Sequence, residues 1–481
     1  MERNNIRYLA RIVVETQTPL AVSSGEKNIE TDAEIIKDVN GLPYIPATSI
    51  AGVVRHAMKE SGKDNESKDW GFQITSKDGK GKGAGSRIIF TNANIVDEDG
   101  VVVDGIVEKK SDFLNHFDSL PIRQHARIDH KGVTVKGGKF DEEIVYKGTR
   151  FCFEMEYVNN ADKKSYFDDL ISTICPSSLR IGGGTRSGFG KLNIVCIKTK
   201  ELNLENPEDL KKYIEKSSSL SDMSFWGDAD DNKASGKTDD GIASYILTIE
   251  PDDFFLFGSG FGDDEADMTP ISESFISWES GKGEFKDNAV LIPATSVKGA
   301  IAHRVAYHYN RLTGRFADKI QEDLEQFTGK NNLAVKCLFG SEGNPSAKEK
   351  DEKRAVRGNV MISDVIQAKS GQPDKLLNHV AIDRFTGGAM EGALFTEKVT
   401  DGRGCKYEID ITVDKKGVQQ LFNNDKNKKD GEKIDNVYKA LECALDDICS
   451  GLLPLGGGVN RGNGVFSGTR NNGVFIKLEE E

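Results

Sequence analysis

Apolar and polar residues alternate along YLARIVVE (8–15) and SYILTIE (244–250), the short period-two pattern of half-buried strands. After each strand the period lengthens. Ile50, Val53, Val54, Ala57 and Met58 fall at helical spacing in TSIAGVVRHAM (48–58), and Val297, Ala300, Ile301 and Val305 repeat the stripe. Thr48 and Ser49 stand where N-caps of that helix are expected. A second helical stripe follows in each half: Tyr166, Phe167, Leu170, Ile171 and Ile174, then Val437, Tyr438, Leu441, Leu445 and Ile448. Each stripe runs into a glycine-rich loop (182–190, 456–464) and a strand-like tail. The predicted order in each half is strand, loop, helix, strands, hairpin, helix, glycine-rich loop, strand. Two helices on one face of such strands indicate an α+β, split-βαβ, ferredoxin-like unit.

The halves share sequence as well as pattern. IPATSIAG (45–52) returns as IPATSVKG (292–299), and RIVVETQTPLAVSSG (11–25) aligns with ILTIEPDDFFLFGSG (246–260). That alignment matches Glu15 to Glu250, Ser24 to Ser259 and Gly25 to Gly260 at one offset. WGF (70–72), SRIIFTNANI (86–95), HARIDHKGVTVKGGKFDEEI (125–144) and LRIGGGTRSGFGKL (179–192) recur in the same order at 339–341, 357–366, 379–398 and 453–466. The chain is therefore read as a duplicated domain, 1–200 and 241–481, joined by a linker at 201–240. Residues 217–241 are rich in Ser, Gly and Asp, as a linker is, and Trp226 within them has no assigned neighbour. Insertions at 59–85, 96–122, 310–336 and 399–435 are expected as lids or arms.

Composition narrows the function. The 481 residues carry 64 Lys and Arg against 77 Asp and Glu, a net charge of −13, which argues against a uniformly basic nucleic-acid binder. A local basic groove under an acidic exterior remains compatible with it. No apolar run suits a signal peptide or a membrane span, so a cytoplasmic location without membrane contact is expected. Seven scattered cysteines without a CxxC pair support neither a zinc knuckle nor a disulfide framework. Both glycine loops follow a helix and precede a strand, the reverse of a phosphate-binding strand–loop–helix, and neither half contains a P-loop. A nucleotide-binding fold is thereby rejected, and an unrelated nucleotide or carbohydrate enzyme is disfavoured.

Candidate chemistry gathers at two places in each half. Gly182, Gly183 and Gly184, and again Gly456, Gly457 and Gly458, allow close backbone approach to a polyanion, with Arg186 and Arg461 near to pair phosphates. A tight turn needing positive φ explains any single glycine equally well. The helix starts bring Thr48 and Ser49, and Thr295 and Ser296, to an anion-favouring N-terminus, with Lys298, Arg55 and Arg304 further along. Simple capping would also account for those hydroxyls.

These strings resemble the RAMP superfamily, and most closely the backbone subunits of type III CRISPR effector complexes that assemble along a guide RNA. The family's helix-start motif matches Pro46, Thr48, Ser49 and Gly52, then Pro293, Thr295, Ser296 and Gly299. Its glycine loop matches 182–184 and 456–458, and its thumb hairpin 127–146 and 381–398. The resemblance covers both halves, like the D-type variants that join subunits in one chain. It implies two tandem ferredoxin-like, RRM-like domains with thumb hairpins, and RNA contacts that also include Ser24, Gly25, Arg127 and Arg384. It implies a guide RNA, a target single-stranded RNA and other effector subunits as partners.

It further implies target cleavage by an aspartate on the loop after the first strand. Seven residues past Gly25 lies Asp32, and seven past Gly260 lies Asp267, with Asp263 and Asp264 as alternates in the same loop. Attack by a ribose 2′-OH and a transient divalent cation, Mg or Mn, come with the resemblance; no metal ligands are assigned. Two rivals stand beside this reading. One is an architectural subunit that cuts nothing, the second copy being the more apt to be inert. The other is a metal-independent, guide-processing nuclease using His56 or His303, which occupy matched helix positions, as His125 and His379 do before the hairpins. The RNA reading expects acidic residues on outer faces and one basic groove across both copies.

Overall fold

The computed structural model describes residues 4–27, 31–63, 69–74, 82–129, 133–159, 163–175, 179–227, 229–231, 241–320, 324–341, 343, 355–369, 373–425 and 432–471. In the first half the main elements are β1 (Ile6–Thr16), α1 (Ala47–Glu60), β2 (Ile88–Phe90), the hairpin β3 (Ile122–Ile128) and β4 (Thr134–Glu143), β5 (Arg150–Asn159), α2 (Lys164–Ile174) and β6 (Leu192–Asn203). The connecting stretch carries α3 (Pro207–Glu215). The second half has β7 (Ile242–Pro251), β8 (Ser272–Ser277), β9 (Glu284–Ile292), α4 (Ala294–Leu312), β10 (Val360–Ile362), the hairpin β11 (Lys375–Ile382) and β12 (Ala389–Asp401), β13 (Tyr407–Asp414), α5 (Ile434–Cys449) and β14 (Phe466–Arg470).

Both central sheets have one topology. The first runs β6-β1-β5-β2 and the second β14-β7-β13-β10, so in each the last strand lies beside the first, then the third, then the second. All of these pairings are antiparallel, from Ile6 opposite Asn159 in the first sheet to Ile242 opposite Asp414 in the second. This is the ferredoxin-like order that the strand–helix pattern predicts, formed twice. The helices bury matched residues on these sheets: Ile50, Val54 and Met58 from α1, and Val297, Ile301 and Val305 from α4. Each such side chain contributes about 1.5–3 kcal/mol on burial. The two cores are distinct, one around Tyr8, Ile12, Phe153 and Leu170, the other around Tyr245, Leu247, Ile409 and Leu441.

Three local expectations need correction. The helix N-caps are Pro46 and Pro293, not Thr48 or Ser49, because the first helical amides are taken by side chains that follow the second strand of each copy. Asn92 Oδ1 accepts from Ala47 N at 2.9 Å, and Asp364 Oδ1 accepts from Ala294 N at 2.7 Å. The hairpins also begin earlier than the matched strings, at Ile122 and Lys375, since their strands pair from there; 130–132 of the first lie outside the described residues. In the stretch between the halves, β6 continues to Asn203 and α3 follows, capped by Asn206. There Trp226 is fully buried with Leu9 and Leu202, and its Nε1 donates to Glu154 at 3.0 Å.

The second copy reaches into the first. Its β8–β9 hairpin places Ile276 in the first core, where Ile276 N donates to Lys147 O at 2.8 Å. Trp278 Nε1 donates to Gly148 O at 2.8 Å, and Phe285 stacks on His116 with ring centroids 4.1 Å apart. Gly148 has φ +86°, and a Cβ there would lie 2.0 Å from Ile276 O, so the junction needs glycine. Among the described residues no helix is long and apolar enough to cross a membrane.

Candidate functional site

The loop after the first strand folds alike in both copies. Ser24 N donates to Glu34 O, and Ser259 N to Thr269 O, each at 2.9 Å. The hydroxyls of Ser24 and Ser259 accept from Glu26 N and Phe261 N, each at 3.1 Å. Gly25 and Gly260 turn with φ +84° and +87°. The seven-residue count from these glycines therefore reaches equivalent positions at Asp32 and Asp267.

Both aspartates abut the returning strand of the hairpin. Asp32 N donates to Asp141 Oδ1 at 2.9 Å, while Glu143 N donates to Ala33 O and Glu143 Oε2 accepts from Ile35 N, both at 2.9 Å. In the second copy Asp267 N donates to Thr396 O at 2.9 Å, and Lys398 N to Met268 O at 2.8 Å. The carboxylates differ in their company. That of Asp32 is exposed and meets Lys27 at 3.4 Å. That of Asp267 accepts from Thr396 N at 2.8 Å. Of the alternates, Asp263 caps Glu265 and Ala266 and pairs with Lys398 at 2.7 Å, which holds its carboxyl below the ordinary range. Asp264 is exposed.

The hairpin base is locked to the glycine loop by a device that sequence reasoning missed. His125 stacks on Phe140 and meets Glu142 at 3.0 Å; His379 stacks on Phe395 and meets Glu397 at 3.0 Å. Glu397 is fully buried and also receives Arg461 at 2.6 Å and Asn463 at 3.3 Å, both from the glycine loop. Glu142 and Glu397 each follow the residue that touches the loop aspartate. The recurring Phe-x-Glu strings at 140–142 and 395–397 were the available signal.

The triple glycines face inward at their first two positions. Gly182 (φ +90°) and Gly456 (φ +94°) would set a Cβ 2.3 and 2.5 Å from Ala21 O and Leu256 O. Gly183 N and Gly457 N donate to those same carbonyls at 2.6 Å. The close approach is thus to the exit of the chain's own first strand, and the tight turn accounts for these glycines. Gly184 and Gly458 also have positive φ, beside Phe189 and Asn463.

Thr48, Ser49, Thr295 and Ser296 reach the surface to varying degrees, and their hydroxyls make no hydrogen bond among the described residues. The expected cations are less uniform. Arg55 and Arg384 are exposed and without an ion pair among the described residues, and Arg127 is exposed. Arg186 instead donates to Gly358 O at 2.8 Å across the junction of the copies, where burial and neighbouring Arg357 lower its pKa to about 10. Lys298 donates to Arg186 O at 3.2 Å, and burial lowers it too. Arg304 pairs with Asp447, and Arg461 with Glu397. A cavity of about 270 Å³ opens beside the start of α1, lined by Thr48, Arg55, Trp70 and Phe90 among others.

Of the histidines, His56 is exposed, 2.9 Å from Glu60 and 3.3 Å from Arg357, and His303 is exposed. The hairpins carry apolar residues outward: Ile128 and Val133 in the first, Ile382 and Phe385 in the second, Phe385 being 94% exposed. Among the described residues no three His, Cys, Asp or Glu side chains gather to hold a metal. A lone exposed carboxylate such as Asp32 can still supply one ligand to a divalent cation whose other ligands are water and phosphate oxygens.

The sequence matches the RAMP superfamily over residues 13–193 and 257–467, one match in each half. It is also 25% identical over 233 residues to the CRISPR system Cms endoribonuclease Csm3 of Methanocaldococcus jannaschii. That alignment covers 45% of this chain and 92% of the archaeal protein.

Proposed function

Because the chain belongs to the RAMP superfamily, we propose that it is a double backbone subunit of a type III CRISPR ribonucleoprotein, binding guide RNA and cutting complementary target RNA near Asp32 and Asp267. The observation that carries the reading is the equivalence of those aspartates: each closes the same loop against the same strand of an outward hairpin. Similarity to a protein named as a CRISPR endoribonuclease supports the general activity.

The chain's own groups have divisible roles. The free hydroxyls at the helix starts, with Arg55 and Arg384, meet RNA through phosphate and sugar, which gives salt-sensitive binding without base readout. The apolar hairpin residues Ile128, Val133, Ile382 and Phe385 insert between bases and splay the target. A splayed strand brings a 2′-OH in line with its neighbouring phosphate, and such positioning supplies much of a rate. The Asp32 carboxylate then accepts the 2′-OH proton, or stands as one ligand beside the scissile phosphate. A divalent cation, Mg or Mn, would neutralise developing charge on that phosphate.

One observation favours an inert second copy: the Asp267 carboxylate is engaged by Thr396 N, whereas no backbone amide among the described residues claims that of Asp32. The test is the assembled complex with a matched RNA, mapped for cuts. Asp32→Ala should remove one set of cuts and Asp267→Ala the other. If only the first is lost, the second copy is architectural. If neither single nor double substitution removes any cut, the aspartate assignment is wrong.

A further inference from the structure

The two copies meet head to tail. Besides the bonds that Ile276, Trp278 and Lys298 send to the first copy, cationic side chains of the first copy, Arg123, Arg180, Arg186 and Lys191 among them, donate to the second. Arg123, buried at the base of the first hairpin, donates to both Glu273 oxygens at 2.8 and 2.9 Å and to Asp364 Oδ2 at 3.0 Å. Asp364 uses its other oxygen to cap α4. The two carboxylates hold the guanidinium in its charged form against its burial. Arg180 donates to Ser363 Oγ at 2.9 Å, Arg186 to Gly358 O, and Lys191 pairs with Asp410.

Because the chain is a repeat, each of these groups has a counterpart on an outer face. His125 and His379 are equivalent, so Arg123 corresponds to Leu377. Ile181 N meets Gly190 O as Leu455 N meets Gly464 O, so Arg180 corresponds to Pro454 and Lys191 to Val465. The amides of Gly183 and Gly457 place Arg186 opposite Asn460. Each of these four donors is thus replaced by an apolar or neutral residue on the second copy's outer face.

On the first copy's outer face one acceptor loses its charge and the other two stay carboxylates but are engaged elsewhere. Asp364 becomes Asn92, which caps α1 in the same way but carries no charge. Glu273 corresponds to Asp38, since Ile36 N meets Val22 O as Ile271 N meets Phe257 O. Asp38 turns inward to accept from Asn40 N and Leu42 N, both at 2.8 Å. Asp410 corresponds to Glu154, by the bonds of Ser363 N and Thr91 N to their carbonyls. Glu154 is already filled by Arg11, Lys216 and Trp226, the last two from the stretch that connects the copies.

We propose that this junction is a self-sufficient, charge-keyed interface whose key is absent from both outer faces, so the chain does not add a second copy of itself in the same mode. Any neighbour continuing the head-to-tail array is then a chain of different sequence. The proposal holds whether or not the aspartates cut RNA, and its tests use no RNA.

A protease site placed within 232–240 of the full chain lets the backbone be nicked after folding. Sedimentation velocity should then find the intact chain at the mass of one copy over its whole soluble range, and the nicked halves still travelling together. Asp364→Asn, the residue found at the equivalent position 92, keeps the helix cap but strips a charge from Arg123. It should weaken the nicked pair by about a hundredfold or more and release the halves. Glu273→Gln should do the same, and Arg384→Gln, a remote exposed cation, should not. Concentration-dependent growth of the intact chain would overturn the proposal. So would nicked wild-type halves that separate, or nicked Asp364→Asn and Glu273→Gln halves that both remain as tightly joined as the wild type.

Discussion

Asp267 and Thr396 hold each other twice: Asp267 N donates to Thr396 O at 2.9 Å, and Thr396 N donates to Asp267 Oδ2 at 2.8 Å. The equivalent pair in the first copy, Asp32 and Asp141, shares a single bond from Asp32 N, which leaves the Asp32 carboxylate to Lys27. The loop aspartate is therefore a latch on the hairpin in one copy and an exposed carboxylate beside Lys27 in the other.

This difference separates two substitutions. Asp32→Asn should slow its cut by about a hundredfold or more, the scale of a lost general base, while leaving the loop intact. Asp267→Asn keeps an oxygen for Thr396 N and should leave the hairpin equally protected, whereas Asp267→Ala should speed amide exchange at Thr396. Cut mapping and hydrogen exchange on the same complexes read both effects. Unchanged exchange at Thr396 in Asp267→Ala would show that the latch does not hold the strand.

The glycine loops give a sharper contrast, because adjacent residues differ in kind. A Cβ at Gly182 or Gly456 meets a carbonyl oxygen at 2.3 or 2.5 Å with positive φ, while at Gly183 the nearest atom is 3.6 Å away. Gly182→Ala and Gly456→Ala should each cost about 1–3 kcal/mol from backbone strain, and more where the loop cannot shift. Gly183→Ala should lie within about 1 kcal/mol of wild type. Thermal denaturation orders the three, and equal losses at 182 and 183 would contradict the close approach to Ala21.

The duplication was legible because it is written in order: strand period, IPATS string, helical stripe and glycine loop, each recurring at matched places. Strand order followed from that pattern together with the right connections. What escaped was set by tertiary contact. Thr48 and Ser49 have cap chemistry, yet Asn92, far along the chain, reaches Ala47 N first. Arg186 and Lys298 look like phosphate ligands, yet the docking of one copy on the other turns Arg186 onto Gly358 O and Lys298 onto Arg186 O. Trp226 sits in a Ser- and Asp-rich stretch, and only the fold supplies Glu154 and Leu202 to receive it. Local spacing records which face a residue takes on its own element, not which distant group arrives to meet it.

Glu397 joins two parts of the second copy that the sequence keeps apart. Fully buried, it receives Arg461 from the glycine loop and lies 3.0 Å from His379 at the hairpin base. Arg461→Gln leaves the buried Glu397 carboxylate without its cation, so it should cost about 3 kcal/mol, as breaking a buried pair does. Glu397→Gln leaves only the more exposed Arg461 unmatched and should cost less. Chemical denaturation measures both, and an Arg461→Gln variant as stable as wild type would deny the lock.

Acid stability should report on α4 and α5. Asp447 of α5 faces Arg304 and His308 of α4, with His308 Nε2 at 2.7 Å. Burial alone would raise its pKa, but the bonds from His308 and Arg304 outweigh burial and hold the carboxyl below its ordinary value of 3.8. A carboxyl lowered by folding stabilises the fold above its unfolded pKa, and that contribution fades as pH falls through the folded value. The wild type should therefore lose stability as pH drops below about 4, beyond what Asp447→Asn loses over the same interval. At neutral pH the substitution should cost about 1–3 kcal/mol, because Arg304 and the buried His308 lose a charged acceptor. Melting temperature against pH for both proteins decides it: parallel curves would mean that Asp447 does not hold the two helices through its charge.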